Sequence, residues 1–233
     1  MRIHRPLTPE EAYGIRKECR ASSYLLGGTY VLSIGHEWED LIDLNGFITS
    51  GISEEGDSIT IGAGAKLEDL SAYSAVPPII RKAAAGCPSL QQRNMATIGG
   101  NAALCLADGY MTAVLLAADA HVLLYDGDST VDMPYRVYAE KHSPEWIILS
   151  LSIAGSKDGS VKRISRASHM HAAVTAAVCG DSYAYTASPS SIMYGNRDCY
   201  KDMDLDSDLT GSAEYKRYLL SVIFKEDRDG NQS

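Results

Sequence analysis

The sequence has little positive charge and few phenylalanine and tryptophan residues. Its 233 residues include 21 Lys and Arg against 30 Asp and Glu, which gives a net charge of −9. A protein that binds nucleic-acid phosphates needs a basic face, so this balance argues against nucleic acid as a partner. The aromatic residues are mainly tyrosine, 14 against two Phe and two Trp. Tyrosine is amphipathic, and its excess suits strand surfaces, subunit interfaces and ligand clefts.

The sequence also lacks long apolar runs and paired cysteines. No run approaches the roughly 20 apolar residues that a membrane-spanning helix requires. No apolar stretch follows the arginines at the start, as it would in a signal peptide. We therefore expect a cytoplasmic protein without a membrane span. The five cysteines are scattered and never form a CxxC pair, which argues against a disulfide framework and against an iron–sulfur or zinc site on this chain.

Helix and strand patterns follow each other in irregular order. Thr8 followed by Pro9 is typical of a helix start. Ser58–Gly62 has the alternation of a strand, and residues 212–223 have the pattern of an amphipathic helix. Because strands and helices do not alternate regularly, the sequence predicts an α+β fold rather than a doubly wound sheet. The polar, glycine-containing stretch at residues 155–160 indicates a domain boundary.

Three glycine segments follow or interrupt strand-like runs. They are Gly27-Gly28-Thr29, Gly62-Ala63-Gly64 and Gly99-Gly100-Asn101. Glycines allow successive backbone N–H groups to point outward and to hold a pyrophosphate, and Thr29, Thr97 and Asn101 add side-chain hydrogen bonds. Each segment taken alone is explained better by a tight turn without a ligand. The Gly62 segment also resembles a dinucleotide-binding fingerprint, but Leu67 stands where the third glycine belongs.

Several stretches resemble the FAD-binding, or medium, subunits of the molybdenum hydroxylases, the family of xanthine dehydrogenase and aerobic carbon monoxide dehydrogenase. The most specific is Arg93-Asn94-Met95-Ala96-Thr97-Ile98-Gly99-Gly100-Asn101, and the others are residues 26–29, 59–70, 115–120 and 212–219. The resemblance implies a two-subdomain FAD-binding fold of the PCMH type at residues 1–155, divided into 1–55 and 56–155. A small C-terminal α+β domain of the carbon monoxide dehydrogenase flavoprotein type is implied at residues 160–225.

The resemblance implies a non-covalent FAD whose pyrophosphate lies between two glycine loops. The first loop comprises Leu25, Leu26, Gly27, Gly28, Thr29, Tyr30 and Val31, and the second comprises Thr97, Ile98, Gly99, Gly100 and Asn101. Weaker flavin contacts fall at Leu149 and Lys162. The aspartate that the family usually places after the second loop falls at Tyr110. Asp108, two residues earlier, is the candidate to replace it.

The resemblance further implies an oxidoreductase subunit that acts through its flavin, with no catalytic side chain of its own. Electrons would come from a molybdopterin-binding large subunit through a [2Fe-2S] small subunit, and would pass to NAD or another acceptor. Metal centres on other chains would explain the absence of cysteine clusters. Two alternatives stay open. One is a non-catalytic assembly subunit that has lost FAD, suggested by Tyr110 and by a C-terminal domain shorter than usual, and the other is an NAD-binding Rossmann enzyme.

Other residues carry weaker signals. His169 and His171 share one face of a strand, but the pattern offers no third metal ligand, so we expect a surface strand. The acidic run at residues 202–208 lacks the glycine and glutamate of a calcium loop and predicts a solvated turn. We assign both tryptophans to the core. Free cysteines are commonly small inert hydrophobes, which is our interpretation of the two that flank the second glycine segment, Cys87 and Cys105.

Overall fold

The computed structural model describes residues 1–34, 38–154, 158–167 and 171–224. Its helices are α1 (Pro9–Glu18), α2 (Leu67–Ala72), α3 (Pro78–Ala85), α4 (Leu90–Met95), α5 (Ile98–Leu104), α6 (Thr112–Ala117), α7 (Tyr135–Lys141) and α8 (Ala213–Val222). Its strands are β1 (Arg2–His4), β2 (Ser22–Leu25), β3 (Asp40–Asp43), β4 (Ile52–Glu55), β5 (Ser58–Gly62), β6 (His121–Tyr125), β7 (Thr130–Pro134), β8 (Ile147–Ala154), β9 (Ser160–Ser165), β10 (Ala172–Cys179), β11 (Ser182–Ala187) and β12 (Ser191–Gly195). This mixture of helices and mostly antiparallel sheets confirms the predicted α+β class.

The N-terminal part forms a three-stranded parallel sheet in the order β1-β3-β2. Helix α1 connects β1 to β2 and begins as predicted, because the Thr8 hydroxyl accepts a hydrogen bond from the Glu11 N–H and Pro9 occupies the first turn. Ala12 of this helix packs with Ile42 of the central strand in a small core. Strand β2 ends where the first glycine segment begins, so this sheet fixes the position of that segment.

A five-stranded antiparallel sheet in the order β4-β5-β8-β6-β7 forms the middle of the fold. The Gly62 segment follows β5, which pairs antiparallel with both neighbours, so it lacks the parallel βαβ setting of a Rossmann fingerprint. Gly62 instead permits close packing, since a Cβ there would lie 2.3 Å from the Thr49 carbonyl oxygen. The hairpin of β4 and β5 also joins residues 52–55 to this sheet.

The C-terminal part forms a four-stranded antiparallel sheet in the order β12-β11-β10-β9. Helix α8 covers one face, where Tyr185 and Leu220 share a buried cluster. The other face meets α6, and Ala177 belongs to the same buried cluster as Leu115. This contact places β9 beside the helices of the middle sheet. Residues 155–157 of the predicted domain boundary lie outside the described residues.

Within the described ranges, every helix is too short or too polar to cross a bilayer.

Candidate functional site

A cavity of about 780 Å³ is bordered by the first glycine segment, helix α5, the end of α7 and strand β9. Its volume falls within the range of about 300–1,000 Å³ that is typical of ligand and cofactor sites. Most of the predicted contact residues line this cavity. They are Leu26, Gly27, Gly28, Thr29, Tyr30, Val31, Thr97, Gly99, Gly100, Asn101, Asp108 and Tyr110.

The first glycine segment opens into a helical turn whose first N–H groups are unused. Gly28 has a φ of +73°, a conformation that favours glycine, and its carbonyl accepts a hydrogen bond from the Leu32 N–H at 3.1 Å. The N–H groups of Thr29, Tyr30 and Val31 donate to no acceptor in the part of the chain that the structure describes. Three successive free donors at the start of a turn form a cradle for an anion.

The sequence predicted that the second glycine segment forms a loop. In the structure it forms the first turn of helix α5 instead. The Thr97 hydroxyl caps this helix by accepting from the Gly100 N–H at 3.1 Å. The N–H groups of Ile98 and Gly99 donate to the carbonyls of Ala65 and Ala63 at 3.0 and 2.9 Å. Because the fold itself uses these donors, the segment does not form the second anion cradle that its glycines suggested.

The glycines of these two segments permit backbones to approach each other closely. A Cβ at Gly27 would lie 2.2 Å from the Met95 carbonyl oxygen, just before the α5 cap, and a Cβ at Gly99 would lie 2.4 Å from the Ala63 Cβ. The first segment therefore packs directly on the residues that precede α5. The predicted juxtaposition of the two segments is present, although only the first offers free donors.

Arg163 brings a positive charge to the cavity, and the sequence analysis did not identify it. Its guanidinium carbon lies 4.7 Å from the centre of the Tyr110 ring, and its Nη2 donates to the Asp108 carbonyl at 3.3 Å. The Asp108 carboxylate is hydrogen-bonded to the ring of the exposed His171. Burial raises the pKa of the Tyr110 hydroxyl and also that of the neighbouring Cys87 thiol, so both groups stay protonated at neutral pH.

A group of aromatic side chains lines another part of the cavity. The Tyr138 ring centre lies 6.2 Å from that of Trp146 and 5.7 Å from that of His142. Trp38 also lines the cavity, so both tryptophans border it. Trp146 packs against the main core as predicted, while it also contributes to the wall of the cavity. Burial raises the pKa of the Tyr138 hydroxyl, which donates to the Ala103 carbonyl. Rings of this kind suit a planar aromatic ligand.

Four predicted contact residues do not line the cavity. Leu25 belongs to strand β2, and Ile98 is fully buried in the main core. Leu149 packs against the small core of the first sheet. Lys162 places its amine 5.8 Å from the centre of the Phe224 ring, at the C-terminal helix. Successive side chains of a strand point to opposite faces, so Lys162 and its neighbour Arg163 lie on different sides of β9.

Three further sequence signals have different outcomes. His169 lies outside the described residues, and His171 pairs with Asp108 as described above. The acidic run is not merely solvated, because the Asp208 carboxylate lies 2.9 Å from the amine of the fully buried Lys216. Burial opposes ionisation of Asp208, but hydrogen bonds from Thr210 and Lys216 outweigh it and hold its pKa below the usual range.

Comparisons with known proteins identify the family and support the fold. A family model described as the FAD binding domain in molybdopterin dehydrogenase matches residues 1–153. The structure of carbon monoxide dehydrogenase from Hydrogenophaga pseudoflava is similar, with a TM-score of 0.86 and 20% identity over 97% of this chain and 95% of that one. Carbon monoxide dehydrogenase from Oligotropha carboxidovorans gives 0.85 and 22% over 97% and 95%. Quinoline 2-oxidoreductase from Pseudomonas putida 86 gives 0.84 and 16% over 97% and 94%.

At these identities the solved structures show the fold alone. The matches extend through the C-terminal region, which was expected to be reduced. A search of curated proteins finds no match.

Proposed function

We propose a specific role for this chain, which belongs to the family of FAD binding domains in molybdopterin dehydrogenases. The chain holds FAD in the cavity and serves as the electron-transfer subunit of a molybdenum hydroxylase. The observation that carries the proposal is the turn after Gly28, where three residues whose N–H groups have no acceptor among the described residues line a cavity of cofactor size. FAD combines a pyrophosphate with two aromatic ring systems. The cradle suits the pyrophosphate, and the aromatic group suits a ring.

Each part of the cavity has a task in this proposal. Thr29, Tyr30 and Val31 would hold the pyrophosphate through their backbone N–H groups. We propose Arg163 as the charged contact in place of Lys162, since it is the residue of this strand that lines the cavity. FAD, when bound, supplies the one- and two-electron chemistry. The protein side chains would bind and orient it and exclude water.

The alternative of a flavin-free assembly subunit was suggested by Tyr110 in place of an aspartate. The Tyr110 ring stacks against the Arg163 guanidinium and leaves the cavity open. Asp108 also lines the cavity. These two observations favour retention of FAD over its loss.

The electron partners of the flavin are also part of the proposal. We infer that electrons reach it from a [2Fe-2S] small subunit, fed by a molybdopterin-binding large subunit, and leave to NAD or another acceptor. None of the five cysteines, all of which lie within the described ranges, forms a disulfide bond. Among the described residues, the one group of potential metal ligands contains a single cysteine, too few for an iron–sulfur cluster. The relay would therefore lie on another chain.

The domain division is proposed as an FAD-binding part at residues 1–155 and a small C-terminal part at residues 160–225. The pairing of β4 with β5 supports a subdomain boundary before Ile52 rather than after residue 55.

The direct test is a titration of the purified full chain with FAD. We expect quenching of FAD fluorescence with a dissociation constant of about 1 μM or below, and release of unmodified FAD on heat denaturation. Chain that is colourless as purified and leaves FAD fluorescence unchanged would contradict the proposal. Tight NAD binding without FAD binding would instead revive the Rossmann alternative.

A matched pair of variants tests the cradle itself. Thr29→Pro removes one N–H at the first position of the turn, where no hydrogen bond between described residues is lost, and circular dichroism checks that the variant is folded. Thr29→Ala keeps that N–H and removes only the hydroxyl. Since a hydrogen bond to a charged group contributes about 1.5–3 kcal/mol, we expect Thr29→Pro to weaken FAD binding by about tenfold or more relative to Thr29→Ala. Equal affinities would show that this N–H does not contact the pyrophosphate.

A further inference from the structure

Three residues of different ligand type meet at the edge of the N-terminal sheet, away from the cavity. They are His4 at the end of β1, Cys19 at the end of α1 and Asp40 at the start of β3. One ligand atom from each lies within 4.8 Å of the other two. We propose that these three side chains bind a divalent transition-metal ion, with Zn²⁺ as the preferred ion.

The backbone holds the three ligands in place before any ion binds. The parallel pairing of β1 with β3 sets Arg2 opposite Asp40, and His4, two residues further along β1, reaches the Asp40 Oδ1 with its Nε2 at 2.8 Å. The Cys19 N–H donates to the Ile15 carbonyl at 2.9 Å, and the Cys19 carbonyl accepts from the Ser22 N–H at 3.1 Å. The Asp40 side chain is only 3% exposed, so its charge requires a cationic partner. The site is thus largely preformed.

The ligand set determines which ion fits. A thiolate, an imidazole and a carboxylate are the ligands that Zn²⁺ takes in proteins, whereas Mg²⁺ and Ca²⁺ require oxygen ligands. Three protein ligands leave a fourth position for water. A solvent-open hollow of about 400 Å³, lined by His4, Glu11 and Glu18, gives an ion access to the site.

Arg2 is the cation that the ion would replace. Its guanidinium donates to both oxygens of Asp40, at 2.7 and 2.8 Å. The Arg2 side chain is 71% exposed, so it has room to turn into water when a metal ion takes over the carboxylate. On binding, the Cys19 thiol loses its proton to solvent as the metal–sulfur bond forms, while His4 binds as the neutral imidazole. No oxidation or reduction is involved.

The site escapes the sequence analysis because its ligands are far apart along the chain. Zinc sites are recognised in sequences by short spacings such as CxxC. Here two ligands come from different strands and the third from the end of a helix, and only the fold brings them together.

Co²⁺ is the probe that tests the proposal, because a thiolate bound to Co²⁺ gives a charge-transfer band in the near ultraviolet. We expect this band in the untagged full chain at one Co²⁺ per chain, and its loss on addition of Zn²⁺. Cys19→Ser should abolish the band. Cys199→Ser is the matched control, since that cysteine is also partly exposed but lies in the C-terminal part, and it should leave the band unchanged. A band that persists in Cys19→Ser, or no band at all, would overturn the proposal.

Arg2→Ala separates a metal site from a simple ion-pair network. If the guanidinium competes with the metal, its removal should tighten Zn²⁺ binding by about tenfold or more, because the metal no longer has to displace a hydrogen bond to a charged group. Zn²⁺ should then raise the melting temperature of the variant. If the cluster serves only to neutralise Asp40, Arg2→Ala lowers the melting temperature and Zn²⁺ does not restore it. The second result contradicts the proposal whether or not the chain binds FAD.

Discussion

Arg163 and Lys162 are neighbours on β9 and provide a sharp test of how this strand is oriented toward the FAD site. Both side chains are long and positively charged, so replacing either by methionine removes the same charge at nearly the same place in the sequence. Arg163 lines the cavity, whereas the Lys162 amine lies beside the Phe224 ring. Only the change at Arg163 should therefore affect FAD binding.

The expected magnitude follows from the contacts of the guanidinium. Its contacts include a long hydrogen bond to the Asp108 carbonyl, at 3.3 Å, and a ring contact with Tyr110, so the guanidinium is held at the cavity. A hydrogen bond to a ligand phosphate contributes about 1.5–3 kcal/mol, and 1.4 kcal/mol corresponds to a tenfold change in affinity. We expect Arg163→Met to weaken FAD binding by about 10- to 150-fold and Lys162→Met by less than about twofold.

Equilibrium titration of FAD fluorescence measures both affinities, and circular dichroism checks that each variant is folded. Arg163→Lys separates the charge from the planar guanidinium, and we expect an intermediate affinity because Lys cannot stack on Tyr110 in the same way. An equal or larger loss in Lys162→Met than in Arg163→Met would refute the assignment of β9 faces to the cofactor.

Three further predictions concern stability. Gly27→Ala should abolish folding or lower the melting temperature strongly, because the new Cβ would lie 2.2 Å from the Met95 carbonyl oxygen. Gly14→Ala is the control: its Cβ meets open space, so it should raise stability by about 0.5–1 kcal/mol in thermal unfolding. Lys216→Met should cost about 3–5 kcal/mol in urea unfolding because it leaves Asp208 unpaired, and the exposed Lys201→Met serves as the neutral control. Arg2 and His4 lower the pKa of Asp40 to about 2, so its contribution is full above about pH 4 and lost as the pH falls toward 2. Urea unfolding of Asp40→Asn should show a smaller loss between these pH values.

Local signals in the sequence predicted the local structure well. Thr8 marks the start of α1 as expected, and Ser58–Gly62 forms strand β5 as its alternation predicted. Asp126 likewise makes a local turn between β6 and β7, where its carboxylate accepts from the N–H groups of Asp128 and Ser129. A cap or a turn is decided by a few adjacent residues, so its chemistry is visible in the sequence. The second glycine segment lines the cavity, but as the first turn of a helix rather than as the predicted loop, because glycines for a ligand and glycines for tight packing look identical in a sequence. Only the contact between Gly99 and Ala63 distinguishes the two uses.

The positive charge at the cavity depends on which face of strand β9 a side chain occupies. The sequence analysis placed the contact at Lys162, whereas the structure places Arg163 at the cavity. A shift of one residue along β9 exchanges Arg163 for Lys162 and moves the charge from the cavity to the C-terminal core. The strand is partly buried along its length, without alternation between buried and exposed positions, so its sequence gives no indication of which face meets the cavity. The register is set instead by its pairing with β10, whose neighbours pack on α6. A family resemblance can therefore assign a contact residue on this strand with an error of one position. A loss of FAD affinity in Arg163→Met would show that Arg163, the residue that lines the cavity, has the role that the resemblance assigned to Lys162.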